Sequence, residues 1–275
     1  MKNVLISGNS ICKKLAFGAL LLQSAWVCAQ TDEQLAKQLA NPVAALISVP
    51  VQYNYDSNIG PDDKGTRTTI NIQPVAPFEL NEDWNIISRT ILPLVNQKDI
   101  YPGAGSQTGL GDVVQSVFFS PKAATASGWI WGAGPVAYIP TATDDLLGAK
   151  KWGGGGTAVA LKQSGSWTYG ALTNHIESFA GDDDRADISA TFIQPFLNYT
   201  NSKGVSYVLQ TESTYDWKGK EWTVPVQAGV SKVFNFGGQA VSLGAFGRYW
   251  ATTTDSGPEG MSLRLVASFV FPKKS

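Results

Sequence analysis

Met261-Ser262-Leu263-Arg264-Leu265-Val266-Ala267-Ser268-Phe269-Val270-Phe271 brings the chain almost to its end. Its odd positions (Met261, Leu263, Leu265, Ala267, Phe269, Phe271) are all apolar. Its even positions carry Ser262, Arg264 and Ser268. Side chains of a strand alternate between faces with period two. One face is therefore continuously apolar and ends in aromatics, while the other holds a charge and hydroxyls. A soluble strand fits this pattern, and so does the closing strand of an outer-membrane barrel, with its apolar face on lipid and its polar face on the lumen.

The beginning of the chain favours the membrane. Lys2, Lys13 and Lys14 form a basic region, Leu15 to Val27 is a short apolar stretch, and Val27-Cys28-Ala29 precedes Gln30 as a cleavage site. This is the layout of a secretory signal peptide over 1–29. Cys28 leaves a lipoprotein signal as the rival, though Ala25-Trp26-Val27 lacks its usual leucine and small residues. Both cysteines, Cys12 and Cys28, lie in this leader, so the mature chain has no disulfide framework and no thiol for catalysis or metal. Loss of the three leader lysines takes the net charge from −1 to −4. No basic patch stands out, and nucleic acid is not an expected partner. Beyond the leader no apolar run is long enough for a membrane helix. A chain of this kind that spans a membrane must form a closed barrel, since only helices and barrels satisfy every backbone group in lipid.

Thr31 to Ala40 reads as a short helix, capped by Thr31 or Asp32 and stopped at Asn41-Pro42. It sits in a periplasmic linker over 30–42. From 43 to 271 about twelve strand-like segments follow, each near the ten or so residues a tilted strand needs to cross a bilayer. They are 43–55, 67–78, 84–95, 110–119, 129–140, 156–163, 167–177, 188–199, 204–213, 222–233, 239–250 and 260–271, with a tail at 272–275. The connections alternate in length. Those at 56–66, 96–109, 141–155 and 178–187 are long; those at 79–83, 164–166, 200–203 and 234–238 are short, with 120–128 longer than a tight turn. Long outer loops and short periplasmic turns are a mark of outer-membrane barrels. The expectation is an all-β, antiparallel, up-and-down transmembrane barrel of about twelve strands in the bacterial outer membrane.

Aromatics such as Tyr55, Trp129, Trp152, Trp167, Trp222 and Trp250 fall near strand ends, where interfacial girdles belong. Pro50, Pro74, Pro93, Pro135, Pro195 and Pro225 lie inside strands. Each lacks a ladder donor, so bulges or interrupted pairing are expected there. Segments 84–95 and 188–199 have apolar residues on both faces, and periodicity alone does not orient them.

Several segments, in their order along the chain, resemble one family. They include Ile72-Gln73-Pro74-Val75, Ser88-Arg89-Thr90-Ile91-Leu92-Pro93, Thr108-Gly109-Leu110-Gly111-Asp112, Pro140-Thr141-Ala142-Thr143, Asn174-His175, Ser178-Phe179-Ala180-Gly181, Gln194-Pro195-Phe196-Leu197-Asn198-Tyr199 and Trp222-Thr223-Val224-Pro225-Val226. From about residue 40 onward the chain is similar to the outer-membrane transporter-like family of the meta-cleavage phenol-degradation pathway, whose members often carry the label "neuromedin U". The resemblance implies an outer-membrane barrel that passes small, often hydrophobic, molecules. The chain departs from the pattern at Glu177, where an aromatic is expected. It departs again after Phe271, where Pro272-Lys273-Lys274-Ser275 follows the strand that the barrel-assembly machinery reads.

Parity places a set of polar side chains in the lumen: Gln52, Asn71, Gln73, Arg89, Lys162, His175, Glu177, Gln194, Gln210, Glu212, Gln227, Arg248 and Arg264. His175 is the sole histidine. Leu172 and Ile176, opposite it in parity, make the better lipid face, which turns His175 and Glu177 inward. A hydrolase built on His175 would need a hydroxyl within reach of the imidazole, and no serine motif marks one. One histidine without cysteine offers few metal ligands. The Asp182-Asp183-Asp184 loop lacks the glycine and glutamate of a calcium loop. No cofactor is implied. The expected function is a passive channel or transporter for small solutes, hydrophobic or aromatic ones among them, with outer-membrane lipid as its surroundings. A barrel hydrolase and a closed structural barrel stand as alternatives, and the oligomeric state is open.

Overall fold

Alternating sequence becomes a membrane wall only if its first and last strands meet. In the computed structural model, which describes residues 31–271, they do. Helix α1 (Asp32–Leu39) precedes β1 (Ile47–Ile59), β2 (Gly65–Ile72), β3 (Val75–Glu79), β4 (Trp84–Lys98), β5 (Ser106–Leu110), β6 (Val113–Pro121), β7 (Trp129–Ile139) and β8 (Lys151–Ser164). There follow β9 (Trp167–Gly181), β10 (Ser189–Thr200), β11 (Val205–Thr211), β12 (Ser213–Asp216), β13 (Glu221–Phe236), β14 (Gln239–Thr252) and β15 (Gly260–Phe271). Strand β15 pairs antiparallel with β1, Ile47 opposite Phe271 and Tyr55 opposite Leu263. Three pairs of segments, β2/β3, β5/β6 and β11/β12, are single staves interrupted once. The result is a closed antiparallel barrel of twelve staves. The stretches assigned to the signal peptide (1–29) and the tail (272–275) lie outside the described residues.

Prolines account for the interruptions. Gln73 and Pro74 separate β2 from β3 alongside Pro50, whose carbonyl accepts from the Gln73 N–H. Gly111 and Asp112 separate β5 from β6 alongside Pro93, whose carbonyl accepts from the Gly111 N–H. The pairing with β4 slips there by one residue, from Leu94 opposite Leu110 to Ile91 opposite Val114. That slip is a β-bulge. Glu212 separates β11 from β12 between two strands that each carry a proline, Pro195 on β10 and Pro225 on β13. A proline has no N–H to give its neighbour, so at these positions the facing strand loses its partner and breaks; Pro135 on β7 is the exception, with β6 and β8 continuous beside it.

The strands run longer than the membrane needs. Strand β13 has sixteen residues and β4 and β9 fifteen, against about ten for a crossing. Much of the sequence expected as outer loops at 56–66, 96–109, 141–155 and 178–187 is therefore hairpin. Outside the bilayer a hairpin needs no apolar face, so alternation does not mark it. The turns opposite are tight, as at Gly237-Gly238, where φ of 60° and 93° requires glycine.

Exposed aromatics form two belts. Trp129, Trp167, Tyr199 and Tyr207 lie toward the periplasmic end, with Trp167 and Tyr199 edge to face. Tyr55, Trp217, Trp222 and Tyr249 lie toward the outer end. Trp250 departs from the expected girdle. It points inward, and its indole N–H is shared between Asp56 and Ser262.

The interior has two characters. Ile87, Phe118, Val159, Leu161, Leu172 and Phe196 form an apolar cluster on the side of the lumen walled by β4 and β6–β10, and Val43, expected to open the first strand but lying before β1, packs among them. Serines, amides and arginines face inward from β1 and β11–β15. Strands β4 and β10 belong to the apolar side, which is why both faces of 84–95 and 188–199 are apolar in sequence.

A candidate solute path through the lumen

Helix α1 sits in the periplasmic mouth. Thr31 and Gln34 make a reciprocal capping box, and Lys37 pairs with Glu33 one turn back. Leu35 and Ala36 pack on Val233 and Val270, inward residues at the periplasmic ends of β13 and β15. Across the mouth, Gln163 of β8 donates to the Lys37 carbonyl at 2.8 Å. The helix thus lies against the inner wall at the periplasmic end of the lumen.

Between this helix and the middle of the barrel is a cavity of about 240 Å³. Gln52, Gln73, Arg89, Gln194, Gln210 and Arg264 line it, six of the residues expected in the lumen. Val75 stands next to Arg89 and Leu172 next to Gln194 in the ladder, Phe196 follows on the same face, and Leu39 and Leu46 form the floor. The amides are laced together. Gln73 Nε2 donates to Gln52 Oε1 at 2.9 Å, Arg89 donates to Gln73 Oε1 at 3.0 Å, and Gln194 donates to Gln210 at 3.2 Å.

Toward the outer end the lumen is charged. Arg264 donates two parallel hydrogen bonds to Glu212, at 2.6 and 2.7 Å, and a third to Asn54. Arg248 pairs with Asp56 and stacks on the Trp250 ring. Arg67 donates to Gln97 at 2.9 Å. Glu212 reaches Arg264 because it stands at the break between β11 and β12. Gln227, almost wholly buried, lies beside Arg248 in the ladder, and Asn71 lies beside Gln52 on the inward face. Arg67, Asp56 and Asn54 were absent from the expected set. Asn54 and Asp56 continue the even parity of Gln52, and Arg67 the odd parity of Asn71 and Gln73. Following those parities to the strand ends would have found them.

Three residues expected in the lumen face outward instead. Lys162 lies between Trp129 and Tyr169 on the outer surface of β7–β9. His175 and Glu177 share the outward face of β9, with side chains 44% and 66% exposed. Leu172 and Ile176, the expected lipid face, are buried inside. The physical reason is the apolar half of the lumen. Where the interior is itself apolar, the more hydrophobic face of a strand turns in. His175 Nδ1 meets Thr191 Oγ1 at 2.8 Å, and its Nε2 lies 3.5 Å from Glu177. The Trp217 indole N–H also donates to Thr191 Oγ1, at 2.8 Å.

Over the outer mouth the connection 140–150 is tied to the β5/β6 bulge. Asp112 accepts from the N–H groups of Ala142 (3.0 Å) and Ala149 (2.6 Å) and from the Tyr138 hydroxyl (2.8 Å). Thr141 donates to the Gly111 carbonyl, and Thr143 accepts from the Leu110 N–H. Gly148 has to be glycine, because a Cβ there would sit 2.6 Å from both Asp112 carboxylate oxygens. Two segments that carry the family resemblance, 108–112 and 140–143, are therefore one structural unit. Arg185 donates to the carbonyls of Asp145 and Gly148, adding the 182–188 connection to the cap. Lys150 pairs with Asp145 and Lys151 with Asp187, and each lysine holds its partner's carboxyl below the ordinary carboxylate range.

This is a bacterial outer-membrane β-barrel. It has a closed wall, an exposed apolar exterior with two aromatic belts and an interior that is polar on one side and apolar on the other, and solved outer-membrane barrels share its fold. The COG4313 outer membrane channel from Pseudomonas putida F1 superposes with a TM-score of 0.66 at 16% identity, over 82% of this chain and 96% of that one. Outer membrane phospholipase A from Escherichia coli superposes with a TM-score of 0.51 at 10% identity, over 88% and 99%. No family model matches the sequence, and no curated protein matches it.

Proposed function

We propose that the barrel is a passive channel for small solutes, with the chamber above α1 as a station on the path. The observation that carries this reading is the chamber itself. A structural barrel has no need of a lumen that keeps about 240 Å³ unfilled and lines it with hydrogen-bonding amides. Small barrels without a passage are filled by side chains. The fold shared with a solved outer membrane channel supports the reading. The narrower kinship with phenol-pathway transporters rests on the sequence resemblance alone, and the apolar half-lumen supports solutes with an apolar body. Lipid surrounds the exterior, and the barrel-assembly machinery inserts it. Conductance of the refolded protein in planar bilayers tests the proposal. Stepwise single-channel currents are expected, and silence from both the intact chain and a variant lacking α1 would remove the channel reading.

A hydrolase has one observation in its favour: Thr191, His175 and Glu177 make a hydroxyl–imidazole–carboxylate relay on the outer face. Against it, the hydroxyl is a threonine already accepting from Trp217, and a triad also needs donors for the developing oxyanion. Ester turnover lost in His175→Ala would establish this reading.

A further inference from the structure

We infer that the chamber is a binding site for a small organic anion with an apolar body, its carboxylate held by Arg89. The inference rests on the channel reading and goes beyond it by assigning charge and shape to the solute.

The first observation is an imbalance of charge. Four arginines, Arg67, Arg89, Arg248 and Arg264, face the lumen. The two carboxylates among them, Asp56 and Glu212, are each committed, to Arg248 and Arg264. Among the described residues Arg67 and Arg89 have only glutamine oxygens as hydrogen-bond partners, and they feel Asp56 and Glu212 only as charges already paired elsewhere. An arginine turned toward a confined lumen without a carboxylate is incompletely compensated, and an incoming anion completes it.

The second observation is that Arg89 is held ready. Gln73 accepts from Arg89 through Oε1 and donates through Nε2 to Gln52, so the amide oxygen is turned toward the guanidinium. That one bond orients the planar fork and leaves its other N–H groups for a bidentate carboxylate, the geometry guanidinium fits best. Arg89 lines the chamber directly.

The third observation concerns the body of the solute. Leu172, Phe196 and Val75 line the same chamber. Asn198, only 6% exposed, lines it too, and its side-chain oxygen is buried with no partner among the described residues. A solute with a carboxylate at one end, an apolar middle and a hydrogen-bond donor meets all three. At about 240 Å³ the chamber is below the roughly 300–1,000 Å³ of pockets for drug-sized ligands. The occupant is accordingly of single-ring size.

Benzoate, its neutral counterpart benzamide and the cation benzylamine are suitable probes. In bilayers under a salt gradient, wild-type reversal potentials should show anion selectivity. Benzoate should block the chloride current at a concentration about tenfold lower than benzamide, the difference between charge-assisted and neutral hydrogen bonds. Benzylamine should not block. Arg89→Gln should shift the reversal potential toward zero and make benzoate and benzamide equivalent, whereas Arg89→Lys should keep the selectivity. Cation selectivity, or equal block by all three probes in the wild type, would overturn the anion site while leaving a channel. Calorimetric titration of benzoate into the folded protein in detergent reads the site without conduction. Binding lost in Arg89→Gln supports it even if currents are absent, and no binding to the wild type overturns it. Heat-modifiable migration on gels identifies any variant that fails to fold, and Asn198→Leu then serves as the second test, with weakened binding of the donor-bearing 4-hydroxybenzoate and unchanged benzoate expected.

Discussion

Arg264 on the last strand and Glu212 at the break between β11 and β12 meet through two parallel hydrogen bonds, passing over β13 and β14 to do so. The pair holds the outer half of the lumen together and uses up one of its two ion-paired carboxylates. Glu212→Gln leaves Arg264 inside the barrel without its counter-ion. Breaking one side of a buried pair costs about 3–5 kcal/mol. A lower urea midpoint for unfolding in detergent is expected, together with stronger anion selectivity. An unchanged midpoint would show the pair to be solvated.

Helix α1 is held at the periplasmic end largely by Leu35 and Ala36 against Val233 and Val270. Truncating a buried leucine removes about 2–5 kcal/mol of packing, a large share of the docking of an eight-residue helix. Leu35→Ala should raise the mean single-channel conductance or the open probability, and deletion of 31–39 should raise it further. Equal conductance in all three proteins would mean that the helix does not obstruct the path.

Asp112→Asn keeps the shape of the side chain at the bulge but removes the charge on which Ala142, Ala149 and Tyr138 converge. With charge-assisted hydrogen bonds worth about 1.5–3 kcal/mol each, a loss of about 3 kcal/mol would raise the open population of the 140–150 connection on the order of a hundredfold. Trypsin cleavage at Lys150 and Lys151 should accelerate accordingly. A cleavage rate equal to that of the wild type would place the restraint elsewhere.

The cap should resist mild acid. Asp145 and Asp187 have carboxyl groups held below their ordinary value by Lys150 and Lys151. A depressed carboxylate contributes above its unfolded value and loses that contribution only as pH falls through the lower folded one. A spin label at Asp184→Cys, with Cys12 and Cys28 replaced by serine, should show unchanged mobility from pH 7 to 5 and rising mobility below about pH 4. Loosening already at pH 6 would contradict the assignment.

His175 faces outward at the level of the outer aromatic belt, so its removal should leave conduction alone. In the same cysteine-free background, a cysteine at 175 should resist water-soluble thiol reagents added to the lumen, and one at Gln52 should react. Reaction at 175 at the rate of 52 would return His175 to the interior.

Much of this barrel is legible in the chain alone. Period-two alternation from Met261 to Phe271, and from Val49 to Tyr55, identifies two strands and their faces, and the pairing of β1 with β15 keeps those faces aligned. Pro50, Pro74, Pro93, Pro195 and Pro225 mark where staves break, because a missing N–H is a local property, whereas Pro135 sits between unbroken strands. What alternation does not carry is the character of the space enclosed. Parity says that His175 and Leu172 point in opposite directions, but which way is in depends on what the other strands bring to the interior. Here β4, β6, β7 and β8 bring Ile87, Phe118, Ile130, Val159 and Leu161 to the same side. Apolar burial inside the barrel then outweighs the usual rule that the greasier face meets lipid. The partnership of Arg264 with Glu212 is likewise invisible in sequence, since it depends on the stagger of strands that are neighbours only in the closed sheet. Local chemistry along the chain determined that this protein builds a wall. The contents of its lumen, half apolar and half cationic with a chamber between, were decided by which side chains closure brought face to face.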